Sequence, residues 1–212
     1  MKNYLCFGDS NTWGFIPASD HERYPYEMRI CGHLQNNLDP DLRILEEALN
    51  GRMTAWDDPL NVDKNATKQL GFILDSHRPL NLVSIMLGIN DIKHYMNKTA
   101  IDSALGMGKL VDIIRQAHCG PNGADPEIIL IAPPVCVEAD QPFGRIFDGA
   151  VEVSHGFSKA YKEVADSLGV HFFDAGKFAT PPKAGDGIHI DTVGTKAIGE
   201  ALSVFIKETF QW

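Results

Sequence analysis

The stretch Tyr4-Leu5-Cys6-Phe7-Gly8-Asp9-Ser10-Asn11 decides the reading of the fold. Its first half is a short apolar run with the composition of a buried strand, and its second half is a cluster of turn formers. Four more runs share the character of the first half: Leu42 to Leu45, Leu82 to Leu87, Ile128 to Ala132 and Val170 to Phe173. Between them, apolar residues recur at helical spacing, as in Ile101, Leu105, Leu110, Val111 and Ile114, and again in Val193, Ala197, Ile198, Ala201, Leu202 and Phe205. Pro25 fits the first turn of a helix reaching about Leu38, and Pro79 stops a helix that begins near Lys64.

Strand and helix thus alternate along the chain. Parallel strands need long crossovers, and the crossovers cover both faces of the sheet. The pattern predicts an α/β fold: a doubly wound, three-layer α/β/α arrangement around a flavodoxin-like five-stranded parallel sheet. Such sheets bind their ligands beyond the carboxyl ends of the strands, so the loops after each run are where chemistry is expected. Pro133 to about Gly149, with Pro142, Phe143, Gly144 and Phe147, is longer than most connections and reads as a lid or an interface.

With 212 residues, 44% hydrophobic and 22% charged, the chain suits one sizeable core, and residues 1–212 are expected to form one domain. A formal charge of -9 and a pI near 5.3 disfavour nucleic acid and anionic membrane surfaces as partners. Met1 to Phe7 run straight into a strand without the pattern of a secretory signal, which predicts a cytoplasmic location. Cys6, Cys31, Cys119 and Cys136 lack C-x-x-C spacing and read as buried free thiols. There is no H-E-x-x-H and no clustering of histidines with cysteines, so no metal site and no cofactor are expected.

Four short motifs fall at the predicted site. Gly8-Asp9-Ser10-Asn11 places Ser10 on a strand-to-helix turn, where an exposed hydroxyl can act as a nucleophile. Asn50-Gly51-Arg52 follows the second strand, and its glycine lets the backbone offer an N–H to a ligand at close range. Gly88-Ile89-Asn90-Asp91 follows the third, presenting an amide able to donate to a developing oxyanion. Asp186-Gly187-Ile188-His189 precedes the last helix, with a spacing that lets the carboxylate reach the imidazole and fix its tautomer. Each motif taken singly also reads as a turn or a helix cap, and Asp9 and Asp91 read as residues that fix their own turns. Their common placement after strands and before a helix is what points to catalysis.

In these blocks the chain resembles the SGNH (GDSL-like) hydrolase family over essentially its whole length. The stretches Leu5 to Gly14, Ile85 to Asp91, Ala104 to Met107 and Phe172 to Gly176 are similar to its aryl esterase and acyltransferase/perhydrolase branch. That resemblance implies a serine esterase acting on small acetyl and aryl esters, with acyl transfer to alcohols or peroxide in some members. It also implies a homo-oligomer. Ser10, Asp186 and His189 are the expected catalytic residues, with an oxyanion hole from the N–H groups of Ser10 and Gly51 and the amide of Asn90. Asn11 departs from the leucine of the family pattern. It is grouped with Trp13, Lys93, Tyr95, Phe143, Phe147 and Ile188 as expected substrate-binding residues, and Phe15 and Ile89 are further candidates to line the channel.

Carbohydrate O-deacetylation and thioester hydrolysis use the same machinery and stay open at this point. A non-catalytic flavodoxin-like binding module is the reading from another class. Against it, the chain has no G-x-x-x-x-G-K-[ST] and no G-x-G-x-x-G after a strand, and a binder needs no complete Ser, His and Asp set. An α/β-hydrolase would carry G-x-S-x-G, which does not occur.

Overall fold

Five strands pair in the order β2-β1-β3-β4-β5, all parallel: β1 (Lys2–Gly8), β2 (Leu42–Ala48), β3 (Leu82–Met86), β4 (Glu127–Ala132) and β5 (His171–Asp174). The computed structural model describes residues 2–139 and 143–212, with side chains throughout except at 143 and 144. The crossovers carry helices α1 (Ser10–Trp13), α2 (Ile30–Asn37), α3 (Leu70–His77), α4 (Ala100–Ala117), α5 (Phe143–Ile146), α6 (Ala150–Ser154), α7 (Phe157–Leu168) and α8 (Thr192–Phe210). The strand order reverses direction between β1 and β3, which is the switch point of a flavodoxin-like sheet.

Alternate residues of each strand feed two separate cores. Leu5, Phe7, Val83, Ile85, Ile128 and Leu130 pack with Leu70 and Leu74 of α3, Leu110 and Ile114 of α4 and Phe157 and Tyr161 of α7. Tyr4, Cys6, Leu82, Met86, Ile129 and Ile131 face the other way, against Ile30 and Leu34 of α2 and Ile198, Leu202 and Ile206 of α8. Both faces of the sheet are therefore buried, which is why the strands read as unbroken apolar runs rather than as alternating ones. All four cysteines are free and buried.

Three expected helices differ in detail. The segment after Pro25 is a 3-10 turn over Tyr26–Met28, and α2 starts only after Arg29, whose extended backbone (φ -87°, ψ 163°) interrupts the helix. The segment near Lys64 is likewise a 3-10 turn over Ala66–Lys68 before α3 begins. In α4, Ile101 and Leu105 are exposed, so the core-facing stripe runs instead through Ala104, Met107, Leu110, Val111 and Ile114. Of the long connection after β4, residues 140–142 lie outside the described residues, and the remainder contains α5 and the buried Phe147.

Candidate active site

The sheet register brings Gly8, Ala48 and Met86 level with one another, so the loops after β1, β2 and β3 emerge side by side. Ser10 is the first residue of α1. Asp9 caps that helix by accepting the Asn11 N–H at 3.0 Å, and Gly14 ends it in the left-handed region at φ 87°. The turn is tight because Gly8 packs against Thr12, where a Cβ would lie 2.1 Å from the Thr12 Oγ1.

Asp186, His189 and Ser10 form a continuous hydrogen-bonded chain. His189 Nδ1 lies 2.7 Å from Asp186 Oδ2, and His189 Nε2 lies 2.8 Å from Ser10 Oγ. A carboxylate only accepts, so Nδ1 carries the proton and Nε2 is left to accept from the serine hydroxyl. Asp186 Oδ1 accepts the backbone N–H groups of Ile188 (3.2 Å) and His189 (2.9 Å), and Oδ2 also accepts that of Ala18 (3.1 Å). Burial alone pushes the Asp186 carboxyl upward, but its bond to His189, the charge of that ring and these N–H groups hold it well below the usual carboxylate range. The arrangement keeps a base beside an alcohol and a fixed negative charge behind the base.

Gly51, at φ 78°, follows β2, and Asn90 follows β3 behind Gly88, at φ 125°. A Cβ on Gly88 would lie 2.1 Å from the Tyr161 hydroxyl, which itself donates to Leu87 O at 2.8 Å. The Asn90 amide donates one N–H to Arg52 O at 3.2 Å, which leaves its second N–H for a ligand. Arg52 fastens this corner from beneath, donating to Gly8 O (2.8 Å), Glu47 O (2.5 Å) and Gln69 Oε1 (2.9 Å), with its guanidinium over the Phe7 ring. Burial lowers the Arg52 pKa to about 10 and raises Asp9 and Asp91 to about 6 each. Asp91 accepts the Thr54 N–H (2.9 Å) and hydroxyl (2.6 Å), so it ties the loop after β3 to the one after β2 instead of fixing its own turn as Asp9 does.

Ser10, Gly51, Asn90 and His189 open together onto a cavity of about 300 Å³. Phe15, Ile146, Phe147 and Ile188 give it an apolar lining, and Asn50, Asn61, Lys64, Lys93 and Tyr95 a polar one. Lys93 is nearly buried and ion-paired to Asp58 at 2.8 Å, while the Tyr95 hydroxyl donates to the same carboxylate at 3.0 Å. Burial pushes the Asp58 carboxyl up, yet the Lys93 bond and the Leu60 N–H outweigh it and bring the pKa to about 2.

Sequence reasoning placed Phe15, Lys93, Tyr95, Phe147 and Ile188 on this cavity, and they line it. Asn11 does not, because its amide is consumed inside the protein by Ile188 O (3.1 Å) and the Ile190 N–H (3.0 Å). Trp13 is also outside the cavity, half-buried beneath the Arg23 guanidinium, and Ile89 is part of the core. The side chain of Phe143 lies outside those described. His21, Asn61 and Lys64 line the cavity from loops that no motif marks, and Ile146 from the end of α5. Phe15, one residue past the turn that ends α1, stacks on the His189 ring.

Among curated proteins none matches the chain. The family model described as GDSL-like Lipase/Acylhydrolase matches residues 6–197. The structure is similar to that of the aryl esterase of M. smegmatis, at 34% identity and a TM-score of 0.93, covering 98% of this chain and 99% of that one. A carbohydrate acetylesterase from Sinorhizobium meliloti is similar at 38% identity and TM-score 0.92, with 98% and 99% covered. A carbohydrate acetylesterase family member from the same organism aligns over 100% of both chains at 36% identity and TM-score 0.93. With a family match spanning nearly all of the chain and these structural relatives, the protein belongs to the GDSL-like lipase/acylhydrolase family, whose members hydrolyse ester bonds.

Proposed function

We propose that this serine ester hydrolase cleaves small, short-acyl esters through an acyl-enzyme on Ser10. The observation that carries the reading is the unbroken chain from Asp186 through His189 to the Ser10 hydroxyl at the floor of a cavity. In the first half-reaction Ser10 Oγ attacks the ester carbonyl carbon while His189 Nε2 takes its proton. The oxyanion is held by the N–H groups of Ser10 and Gly51 and by the free amide N–H of Asn90. Collapse breaks the bond to the alcohol oxygen, which leaves with the proton from His189. Water then attacks the acyl-serine, gives its proton to the same imidazole and releases the acid, restoring the serine. An alcohol or hydrogen peroxide taking the place of that water gives acyl transfer. As proposed, the cycle uses only side chains and water.

A cavity of about 300 Å³ is at the small end for ligand sites, which favours acetyl and aryl esters over long-chain lipids. The polar wall of Asn50, Asn61 and Lys64 favours, as a second reading, an acetylated sugar as the alcohol part. Among the described residues no helix is long and apolar enough to cross a membrane. The cytoplasm remains the proposed location, in keeping with four cysteines that are free and buried rather than paired. Assembly into a homo-oligomer is proposed from the family resemblance, with the apolar connection after β4, where Ile146 is exposed, as the segment that would meet a second copy.

The test is hydrolysis of 4-nitrophenyl acetate, butyrate and octanoate, with acetylated sugars and acetyl-CoA alongside, by the wild type and Ser10→Ala. Turnover that falls with chain length and vanishes in the variant, with an organophosphate adduct on Ser10 by mass spectrometry, is expected. Absence of both turnover and adduct would return the chain to the class of binding modules.

A further inference from the structure

The side chain of Asn11 brackets His189. Its Nδ2 donates to Ile188 O at 3.1 Å and its Oδ1 accepts the Ile190 N–H at 3.0 Å, so one amide grips the backbone on both sides of the histidine. This is the pattern by which a residue of a parallel strand bonds to the residues before and after its neighbour. Here a side chain supplies it across a sequence separation of 177 to 179 residues. Asn11 itself is 3% exposed, and its own N–H is fixed by Asp9.

We propose that Asn11 is a positioning residue that holds the His189 ring in line with the Ser10 hydroxyl. The inference rests on the reading of Ser10 and His189 as nucleophile and base. Ser10 and Asn11 are adjacent on α1, Asn11 is bonded to the residues flanking His189, and His189 is bonded back to Ser10, so the three form a closed ring of contacts. Asp186 grips the same segment from its other side, through the N–H groups of Ile188 and His189. Two side chains therefore clamp the segment, Asp186 at two backbone N–H groups and Asn11 at a carbonyl and an N–H.

Neither a leucine nor any other apolar side chain at position 11 can offer a donor and an acceptor together. Its presence would leave Ile188 O and Ile190 N–H buried without the partners they have here, and the segment would shift to satisfy them. Displacing a general base by a fraction of an ångström to an ångström costs turnover without costing ground-state affinity, because the substrate touches the cavity walls and not Asn11.

The test compares wild type with Asn11→Leu and with Asn11→Asp, which keeps the size and the acceptor but loses the donor. Turnover is expressed per Ser10 titrated by an organophosphate, so that an unfolded fraction does not count. We expect kcat per titrated site to fall at least about ten-fold with KM within about three-fold of wild type. The downfield proton resonance of the His189 Nδ1–H···Asp186 bond, read by NMR in the folded protein, should broaden in the variants. A kcat per titrated site within about two-fold of wild type would overturn the proposal even if the melting temperature dropped. If Asn11→Leu does not fold, the isosteric Asn11→Asp decides. Should the wild type show no turnover and no adduct, the esterase reading fails on its own. The resonance then decides for Asn11: broadening in the variants supports the clamp, and an unchanged line overturns it.

Discussion

Phe15 lies face to face with His189, the ring centroids 4.2 Å apart and the planes inclined by 23°. Phe15 is 4% exposed and also lines the cavity onto which Ser10 opens, so it shields one face of the imidazole from water and blocks rotation of that ring away from Ser10.

Replacing Phe15 with leucine keeps an apolar wall but removes the planar stack. Aromatic pairs contribute about 0.5–1.5 kcal/mol beyond their buried area, which corresponds to a roughly two- to ten-fold loss in rate if the stack acts on the transition state. Steady-state kinetics on 4-nitrophenyl acetate should show a drop in kcat/KM of that size for Phe15→Leu and a larger one for Phe15→Ala, measured well below the melting temperature. An unchanged kcat/KM in both would mean that the stack is only packing.

The Asn90 amide is divided between structure and proposed chemistry, with one N–H on Arg52 O at 3.2 Å and the other free for an oxyanion. Asn90→Ala should lower kcat by about 10² to 10³ while changing KM little, because the donor acts on charge that develops only in the transition state. A rise in KM with kcat unchanged would instead assign Asn90 to ordinary substrate binding.

The parts of this site that were legible in the sequence are those tied to a strand end. Ser10, Gly51 and Asn90 sit two to four residues beyond β1, β2 and β3, so locating the apolar runs located them. The pairing of Asp186 with His189 follows from a local spacing of three. Asn11 misled for a physical reason: adjacency to Ser10 in sequence suggested a place on the cavity, whereas successive residues of α1 point in different directions and Asn11 points at Ile188 and Ile190. Phe15 was legible as a neighbour of the Ser10 turn, whereas Arg52, His21 and Lys64 reach the site through long-range packing, and no local pattern marks which loop side chain will fold against it. The breaks before α2 and α3 were equally hidden, because apolar spacing does not distinguish a 3-10 turn from the first turn of a helix.

Asp9 and Asp91, both raised by burial from 3.8 to about 6, oppose Asp186 and Asp58, which are lowered, in how they couple stability to pH. For a raised carboxyl the stabilising contribution is fully present below the unfolded value and is lost as pH rises through the folded one. Their share of stability therefore declines between about pH 4 and pH 6 and stays low above, whereas the contributions of Asp58 and Asp186 are present above the unfolded value and vanish only in stronger acid. Asp91→Asn retains the shape and can still accept the Thr54 N–H. Its melting temperature relative to wild type should rise as pH is taken from about 4.5 to about 6.5 and level off above. A difference that is constant across this window would contradict the raised pKa of Asp91.

The Lys93–Asp58 pair that builds the polar wall is almost wholly removed from water, with side-chain exposures of 8% and 0%. The two partners are unequally supported. Asp58 keeps the Leu60 N–H (2.8 Å), the Asn61 N–H (3.2 Å) and the Tyr95 hydroxyl (3.0 Å) when Lys93 is gone, but Lys93 without Asp58 is a buried cation that has lost its carboxylate. Breaking a buried pair by removing one partner costs about 3–5 kcal/mol, mostly the desolvation of the charge left behind. Asp58→Ala should fall in that range, Lys93→Met should cost less, and the double variant should be more stable than Asp58→Ala alone. A urea-denaturation cycle over the four proteins measures each difference and the coupling between the sites. Equal losses for the two single variants, summing in the double, would show that the charges are screened by water and that the wall does not depend on their pairing.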